Sequence, residues 1–200
     1  MFQLHPITAE DIPYLVDLWY TGFNHPINLR LFPDTPGVRT WLTDFHLSTL
    51  VHPDPHYLKI TSDTGPALPF IAFVKWDLNT TADDPGHTFP AWHPESDRDF
   101  CEAFFGSMDV ARRKILQGRK HYYLDTLVTH PDYRRQGAAS MLIEWGCEVA
   151  DRAGRPIWVD ASEDGVALYE RFGFRDVSVA GVTPEGAVSM LREPVSRVAE

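Results

Sequence analysis

The stretch from residue 121 to residue 161 constrains the fold more than any other part of the chain. A β-rich run, HYYLDTLVT at 121–129, is followed by a helical apolar stripe from Gly137 to about Arg152. A short apolar strand, RPIWVDA at 155–161, comes next. Strands that alternate with helices in this way are typical of a mixed α/β domain.

The remaining segments continue this alternation. The sequence predicts further strands at 2–7, 57–63, 69–78, 174–180 and 187–193, and further helices at about 8–22, 38–50, 100–118 and 163–172. Residues 23–36 are predicted to be a loop, and residues 79–98, which contain three prolines and no periodicity, a loop insertion. We therefore predict one α/β domain over residues 1–200, with the element order βααββαβαβαββ.

Composition limits the class of protein. The 200 residues are 44% hydrophobic, which is enough to bury a core without disulfides or metals. The formal net charge of −10 argues against general affinity for nucleic acids or anionic membranes, since both require excess lysine and arginine. The two cysteines, Cys101 and Cys147, fit neither a disulfide framework nor a metal-ligand spacing.

The first residues lack the pattern of a secretion signal. They have no basic start followed by a continuous apolar stretch. No apolar run in the chain approaches the roughly 18 residues that a membrane span requires. We therefore expect a cytoplasmic protein that does not act on a membrane.

The loop between the strand at 121–129 and the following helix has the composition of an anion-binding site. HPDYRRQGAAS at 130–140 places two arginines and a glycine at the start of a helix. The first N–H groups of a helix have no partner within it, and the helix dipole makes that end partly positive. A glycine without a Cβ lets a phosphate approach the backbone. The pattern predicts a pyrophosphate site, although a helix start with solvated arginines fits this stretch equally well.

Two short motifs together resemble the GNAT acetyltransferase superfamily. The first is the acyl-CoA signature, which appears here as Arg134-x-x-Gly137-x-Ala139, and the second is ALYERFGF at 167–174. They occur in the family's order, about thirty residues apart, with a short strand between them. The resemblance implies a mixed central sheet with splayed middle strands and flanking helices. It also implies acetyl-CoA as the co-substrate.

The resemblance assigns residues to the acyl donor. The backbone of the strand before the signature, at Leu127, Val128 and Thr129, would contact the pantetheine arm. The pyrophosphate would bind the signature that Arg134 begins, on the amides of Arg135, Gln136, Gly137, Ala138, Ala139 and Ser140. In this family an amine attacks the thioester directly, so Cys147 is not needed as a nucleophile.

Proton transfer needs two further groups. The family's general acid corresponds to Tyr169, which is also among the residues that would contact the CoA, and a phenol of ordinary pKa near 10 stays protonated at neutral pH. The alternative for Tyr169 is packing beneath the CoA with no part in proton transfer. Asp125, a carboxylate in an apolar strand, is the candidate general base, with Asp160 as its competitor. A carboxylate that only holds a neighbouring loop in place is an equally good interpretation of Asp125. His121, His130 and an ordered water chain remain further alternatives for the base.

Ser162 departs from the family's pattern. It stands where many members carry an asparagine, seven residues before the tyrosine. A serine here still suits the N-cap of the helix that begins at Glu163. A side-chain amide contact to the donor would be lost, although Ser162 stays in the predicted donor site.

The acceptor is poorly determined by the sequence. The N-terminal helices and the insertion would form its site, and residues 77–102 carry seven acidic residues against one arginine. That segment either attracts a cationic amine or is simply a solvated loop. His87 and His93 lie there too, but the spacing and the lack of a nearby cysteine argue against a metal site.

The predicted activity is N-acetylation of a small-molecule or peptide amine. O-acetylation is an alternative within enzymes, and an acyl-CoA sensor without turnover is an alternative outside them. Either a monomer or a homodimer fits the sequence.

Overall fold

The computed structural model describes residues 1–53, 55–65, 67–80 and 89–195. The strands are β1 (Phe2–Pro6), β2 (Pro55–Ser62), β3 (Ala72–Thr80), β4 (His121–Thr129), β5 (Ile157–Ala161), β6 (Arg175–Asp176) and β7 (Val188–Arg192). The α-helices are α1 (Ile12–Gly22), α2 (Pro26–Leu31), α3 (Pro36–Leu50), α4 (Arg98–Leu116), α5 (Ala138–Ala153) and α6 (Val166–Glu170). Three 3₁₀ turns cover Ala9–Asp11, Pro131–Tyr133 and Glu163–Gly165.

All seven strands belong to one sheet, in the order β1-β2-β3-β4-β5-β7-β6. The pair β1–β2 is antiparallel, β4–β5 is parallel, and β7 is antiparallel to both β5 and β6. This mixed sheet with flanking helices confirms the predicted α/β fold. None of the helices in the described residues combines the length and the apolar character that spanning a membrane requires.

The described residues form two compact units. The first contains residues 1–75, 89–102 and 126–142, and the second contains residues 76–80, 103–125 and 143–195. The boundary falls within β3, β4, α4 and α5, so each unit holds parts of these elements.

The first unit buries the apolar side of α1 and the β1–β2 pair. Ile12, Leu15 and Ile60 have no exposed surface, and Leu4 pairs with Ile60 across the two strands. A partly buried ion pair joins Lys59 Nζ to Asp11 Oδ2 at 2.6 Å. Burial alone would raise the pKa of Asp11, but the bonds from Lys59 and Thr8 outweigh it and hold this pKa below its ordinary value.

The second unit is built around large side chains on β4 and β5. Leu116, Tyr123 and Trp158 form a buried cluster against which Ile115, Val177 and Leu191 pack. The parallel pairing of β4 with β5 joins Tyr122–Leu124 to Ile157–Val159. It does not extend to Asp125 and Asp160, so the two strands pair over a short length, as splayed strands do.

Several predicted boundaries were wrong. Residues 26–31 form α2, where a loop was predicted, and Asn79 and Thr80 belong to β3 rather than to the insertion. The strand predicted at 174–180 is reduced to Arg175–Asp176, and the helix predicted at 163–172 is a 3₁₀ turn followed by α6. Residues 81–88 of the predicted insertion lie outside the described residues, so its role stays a prediction.

Candidate functional site

The loop before α5 exposes its backbone to solvent. Arg135 has φ +60° and Gly137 has φ +99°, so two residues adopt the left-handed region within one short turn. Apart from Gly137 and its two chain neighbours, no residue has an atom within 4 Å of the position that a Cβ at Gly137 would occupy. The side of the loop at Gly137 is therefore open, as an anion that contacts the backbone requires.

The first turn of α5 follows this loop directly. The helix is 16 residues long and begins at Ala138, which is buried, while Ala139 and Ser140 are half-buried. These three small residues leave the helix N–H groups without bulky side chains in front of them. The donors and the helix dipole together fit a phosphate group.

Side chains of the same loop stabilise its conformation through hydrogen bonds to backbone carbonyls. The Gln136 Nε2 donates to the Asp132 carbonyl at 2.9 Å, and Arg134 Nη2 donates to the Gly22 carbonyl at 3.2 Å. The buried Tyr133 donates from its hydroxyl to the Thr64 carbonyl at 3.2 Å. Arg134 and Gln136 therefore hold the loop in place through their side chains, a role that the sequence did not indicate.

The end of β4 lies against the end of α1. A Cβ at Gly22 would come within 2.4 Å of Val128 Cγ1, a distance that no side chain tolerates. Val128 is buried, and Leu127 and Thr129 are half-buried on either side of it. The strand segment Leu127–Thr129, the loop and the start of α5 all belong to the first unit. The structure thus brings the predicted donor-site residues of this unit together.

Tyr169 lies in the second unit, on α6. Its side chain is 6% exposed and packs on Phe174, with ring centroids 5.5 Å apart. Burial raises the pKa of Tyr169 above its ordinary value, which favours the protonated phenol. Among the described residues, none forms a hydrogen bond with its hydroxyl.

Ser162 and Gly165 lie next to this tyrosine. A Cβ at Gly165 would approach both Ser162 Oγ and Tyr169 Cε2 at 3.3 Å, which is tighter than ordinary contact. Ser162 occupies the N-cap position of the Glu163–Gly165 turn, but its side chain makes no cap hydrogen bond. The predicted side-chain cap was therefore wrong, because the backbone closes the turn through Gly165 N–H and the Ser162 carbonyl at 2.8 Å.

Asp160 is held by three donors from three strands. Its carboxylate accepts from Trp158 Nε1 at 2.9 Å, from Ser189 Oγ at 2.9 Å and from the Tyr123 hydroxyl at 3.3 Å. These three bonds are accepted by the negative carboxylate, and a proton transferred to it from a substrate would weaken them. The arrangement thus favours a role for Asp160 in linking strands over the role of competing base.

Asp125 is half-buried on β4 near the same tyrosine. Burial raises the pKa of Tyr123 well above its ordinary value, and the charges of Asp160 and Asp125 raise it further. Of the other candidates, His121 is buried with Nδ1 3.0 Å from the Arg119 carbonyl, and His130 accepts the Asp132 N–H at 3.3 Å. Both imidazoles therefore bond to neighbouring backbone.

Neither cysteine has the surroundings of a nucleophile. Burial raises the pKa of Cys147 to about 11 and that of Cys101 to about 11, so both thiols stay protonated at neutral pH. Cys101 also donates to the Leu31 carbonyl at 3.4 Å. The described part of the chain holds no cluster of three or more metal-ligating side chains.

The matches to known proteins concern the fold and one family. A model described as "Acetyltransferase (GNAT) family" matches residues 66–174, a segment that contains both sequence signatures. No curated protein matches the chain.

Solved structures with this fold include a protein described as histone acetyltransferase HPA2 and related acetyltransferase from Corynebacterium glutamicum. It is 19% identical, with 99% of each chain covered and a TM-score of 0.64. A mosquito arylalkylamine N-acetyltransferase like 5b is 14% identical, covering 96% of this chain and 100% of that one, with a TM-score of 0.68. The PaiA N-acetyltransferase of Thermoplasma acidophilum, in complex with coenzyme A, is 12% identical, covering 96% and 99%, with a TM-score of 0.59.

Proposed function

Because the chain belongs to the GNAT family of acetyltransferases, we propose that it transfers the acetyl group of acetyl-CoA directly to an amine. The observation that carries the proposal is the open backbone loop before α5, where Arg135 and Gly137 have positive φ angles. It lies within the matched segment and has the chemistry of a pyrophosphate site. Acetyl-CoA is the co-substrate.

The donor is held, in this proposal, by backbone more than by side chains. The amides from Arg135 to Ser140 bind the pyrophosphate, and the backbone of Leu127–Thr129 contacts the pantetheine arm. Arg134 and Gln136 keep the loop in shape through their bonds to Gly22 and Asp132. Ser162 remains a donor-site candidate because its hydroxyl lies beside the Gly165–Tyr169 contact.

The proposed reaction is a single acyl transfer. The neutral amine attacks the thioester carbonyl, a C–N bond forms, and the C–S bond breaks to release the CoA thiolate. Tyr169 donates its phenolic proton to that sulfur, and burial suits it to the task because it keeps the phenol protonated. Asp125 accepts the proton that the attacking nitrogen loses, directly or through water.

Turnover against a chemically varied panel tests this function. Purified protein, acetyl-CoA and single acceptors are incubated, and free CoA and acetylated product are measured together by mass spectrometry. We expect at least one primary amine to be acetylated with equal amounts of CoA and product. Acetylation of alcohols but not amines would move the assignment to O-acetyl transfer. Stabilisation by acetyl-CoA with no acetylated product from any acceptor would instead indicate a sensor.

A further inference from the structure

The first unit carries a group of stacked aromatic side chains that the donor site does not use. This aromatic cluster comprises Trp19, Phe23, Phe32, Trp41, Phe45, Phe89 and Trp92. Trp41 stacks on Phe45 and on Phe89, each at a centroid distance of 6.2 Å, and Phe89 contacts Trp92 at 4.8 Å. Trp19 contacts Phe23 at 5.2 Å and Phe32 at 5.4 Å, which joins α1 to the group.

The cluster lies at the border of the core, because six of its seven residues keep part of their surface exposed. Phe32 is 6% exposed, whereas the other six rings are half-buried. Scattered exposed apolar residues need no explanation, but a contiguous patch of aromatic rings is typical of a binding surface. Flat rings also provide stacking surfaces at low entropic cost.

Polar contacts hold this surface in place. Trp41 Nε1 donates to the Ala91 carbonyl at 3.2 Å, and Thr35 Oγ1 donates to Glu95 at 2.6 Å. The neighbouring Arg30 forms an ion pair with Asp97 at 2.6 Å. These bonds tie the segment that carries Phe89 and Trp92 to α2 and α3, so the rings have a fixed arrangement.

The cluster adjoins the strand that would hold the acyl donor. Trp19 and Phe23 flank Gly22 at the end of α1, where a Cβ at Gly22 would come within 2.4 Å of Val128 Cγ1. Arg134 from the donor loop bonds to the Gly22 carbonyl. The cluster is thus connected to the end of β4 through Trp19 and Phe23, within the same unit.

Charges around the cluster favour a cation. Residues 12–50 and 89–102 contain seven acidic residues and three arginines. The buried Lys75 adds one cation next to the rings, with its Nζ 6.0 Å from the Phe45 ring centroid. Each arginine is paired: Arg30 with Asp97, Arg39 with Asp17 and Asp34, and Arg98 with Glu102. Asp44 and Glu95 form no ion pair with an arginine among the described residues. A protonated amine is attracted both by this excess of carboxylates and by the faces of the rings.

We propose that the aromatic cluster is the acceptor site and that it selects primary amines carrying an aromatic ring. This inference rests on the proposed acetyl transfer, whose acceptor it specifies. The ring of the acceptor stacks on Trp41 and Phe89, and its ammonium group lies toward the carboxylates. The amine loses its proton before it attacks the thioester.

Calorimetric binding in the absence of acetyl-CoA tests this site without turnover. The probes are 2-phenylethylamine, ethylamine, which lacks the ring, and 2-phenylethanol, which lacks the charge. We expect 2-phenylethylamine to bind at least about tenfold more tightly than either. Trp41→Leu and Phe89→Leu should each weaken its binding by about fivefold and leave ethylamine binding unchanged.

A matched control is Trp145→Leu, since Trp145 is also half-buried but lies on α5 in the second unit. It should leave 2-phenylethylamine binding unaltered. Equal binding of the three probes, or equal effects of Trp41→Leu and Trp145→Leu, would overturn the acceptor assignment. Circular dichroism of each variant shows whether it is still folded, so that weaker binding can be attributed to the missing ring. Failure of acetyl transfer to every amine, with these binding differences intact, would overturn the proposed function instead.

Discussion

Tyr169 has surroundings that favour its protonated form. The ring is almost fully buried against Phe174, and burial raises the pKa of its hydroxyl. The sequence motif identified Tyr169 as the candidate acid, but a motif of a few residues does not predict how deeply the side chain is buried. The proximity of Ser162 and Gly165 to the ring likewise follows only from the fold.

Replacement of Tyr169 by phenylalanine isolates its hydroxyl. We expect kcat to fall by about 100-fold or more, because the leaving thiolate loses its proton donor. The Kd for acetyl-CoA should stay within about twofold of the wild-type value, since phenylalanine keeps the aromatic ring that would contact the CoA. Because the raised pKa keeps the phenol protonated, Tyr169 should cause no alkaline decline in rate between pH 7 and pH 9.

Pre-steady-state kinetics and isothermal calorimetry provide these two measurements. Tyr14→Phe is the control, because Tyr14 is also a partly buried phenol but packs on Phe70 in the first unit. An undiminished kcat in Tyr169→Phe would remove this residue as the general acid.

Some contacts of single residues have no local sequence signal. Gly22 and Val128 are more than a hundred positions apart, and so are Gly22 and Arg134. The sequence predicted Arg134 as a source of charge, whereas its side chain also braces the end of α1. Such pairings depend on how distant elements meet, which no short pattern encodes.

The carboxylate of Asp160 links three strands of the sheet. Its carboxylate joins Tyr123 on β4, Trp158 on β5 and Ser189 on β7, and these three donors are almost completely buried. Removal of the carboxylate leaves buried donors without their acceptor, which costs far more than a surface hydrogen bond.

Asp160→Ala should therefore lower the free energy of unfolding by on the order of 3 kcal/mol. Asp160→Asn keeps one acceptor oxygen, so its free energy of unfolding should lie between those of Asp160→Ala and wild type. Urea denaturation followed by tryptophan fluorescence measures both. The exposed Asp164→Ala on the neighbouring turn is the control and should change stability by less than about 0.5 kcal/mol. Equal stabilities for Asp160→Ala and Asp164→Ala would contradict the linking role.

The elements themselves were predictable to different degrees. β4 has the bounds that the sequence predicted, His121–Thr129, because its aromatic and β-branched residues are typical of a strand. α2 was missed because three prolines in residues 23–36 indicated a loop. Pro26 instead occupies the first turn of that helix, where a missing N–H costs nothing, and His25 caps it through its side chain.

At the scale of the whole molecule, the predicted site residues divide between the two units. The donor loop, the end of β4 and the start of α5 belong to the first unit, whereas Asp125, Ser162 and Tyr169 belong to the second. The sequence predicted the donor loop and Tyr169 from motifs thirty residues apart, and Asp125 from its place in an apolar strand. Their separation into units was not predictable, because the boundary passes through the interior of four elements. Pyrophosphate binding by the loop before α5 and proton donation by Tyr169 should consequently be separable by mutation.

Ligand-induced stabilisation of the full chain tests this separation. A ligand that binds only the folded state adds about 2.7 kcal/mol of stability at a concentration of 100 times its Kd. Acetyl-CoA should therefore raise the melting temperature of wild type and of Tyr169→Phe to the same extent. Gly137→Glu should lose most of this rise, because its side chain places bulk and negative charge where the pyrophosphate would bind.

The control for backbone strain is Gly118→Glu. Gly118 has φ +81° with no atom within 4 Å of a Cβ, so the two substitutions impose a similar conformational penalty. Without ligand, both variants should have a lower melting temperature than wild type. With acetyl-CoA, Gly118→Glu should show the same rise in melting temperature as wild type. If acetyl-CoA raises the melting temperatures of Gly137→Glu and Gly118→Glu equally, the loop before α5 is not the pyrophosphate site. Backbone strain would then account for every difference between these variants and wild type. A shift lost in Tyr169→Phe as well would contradict the division of binding and chemistry between the two groups of residues.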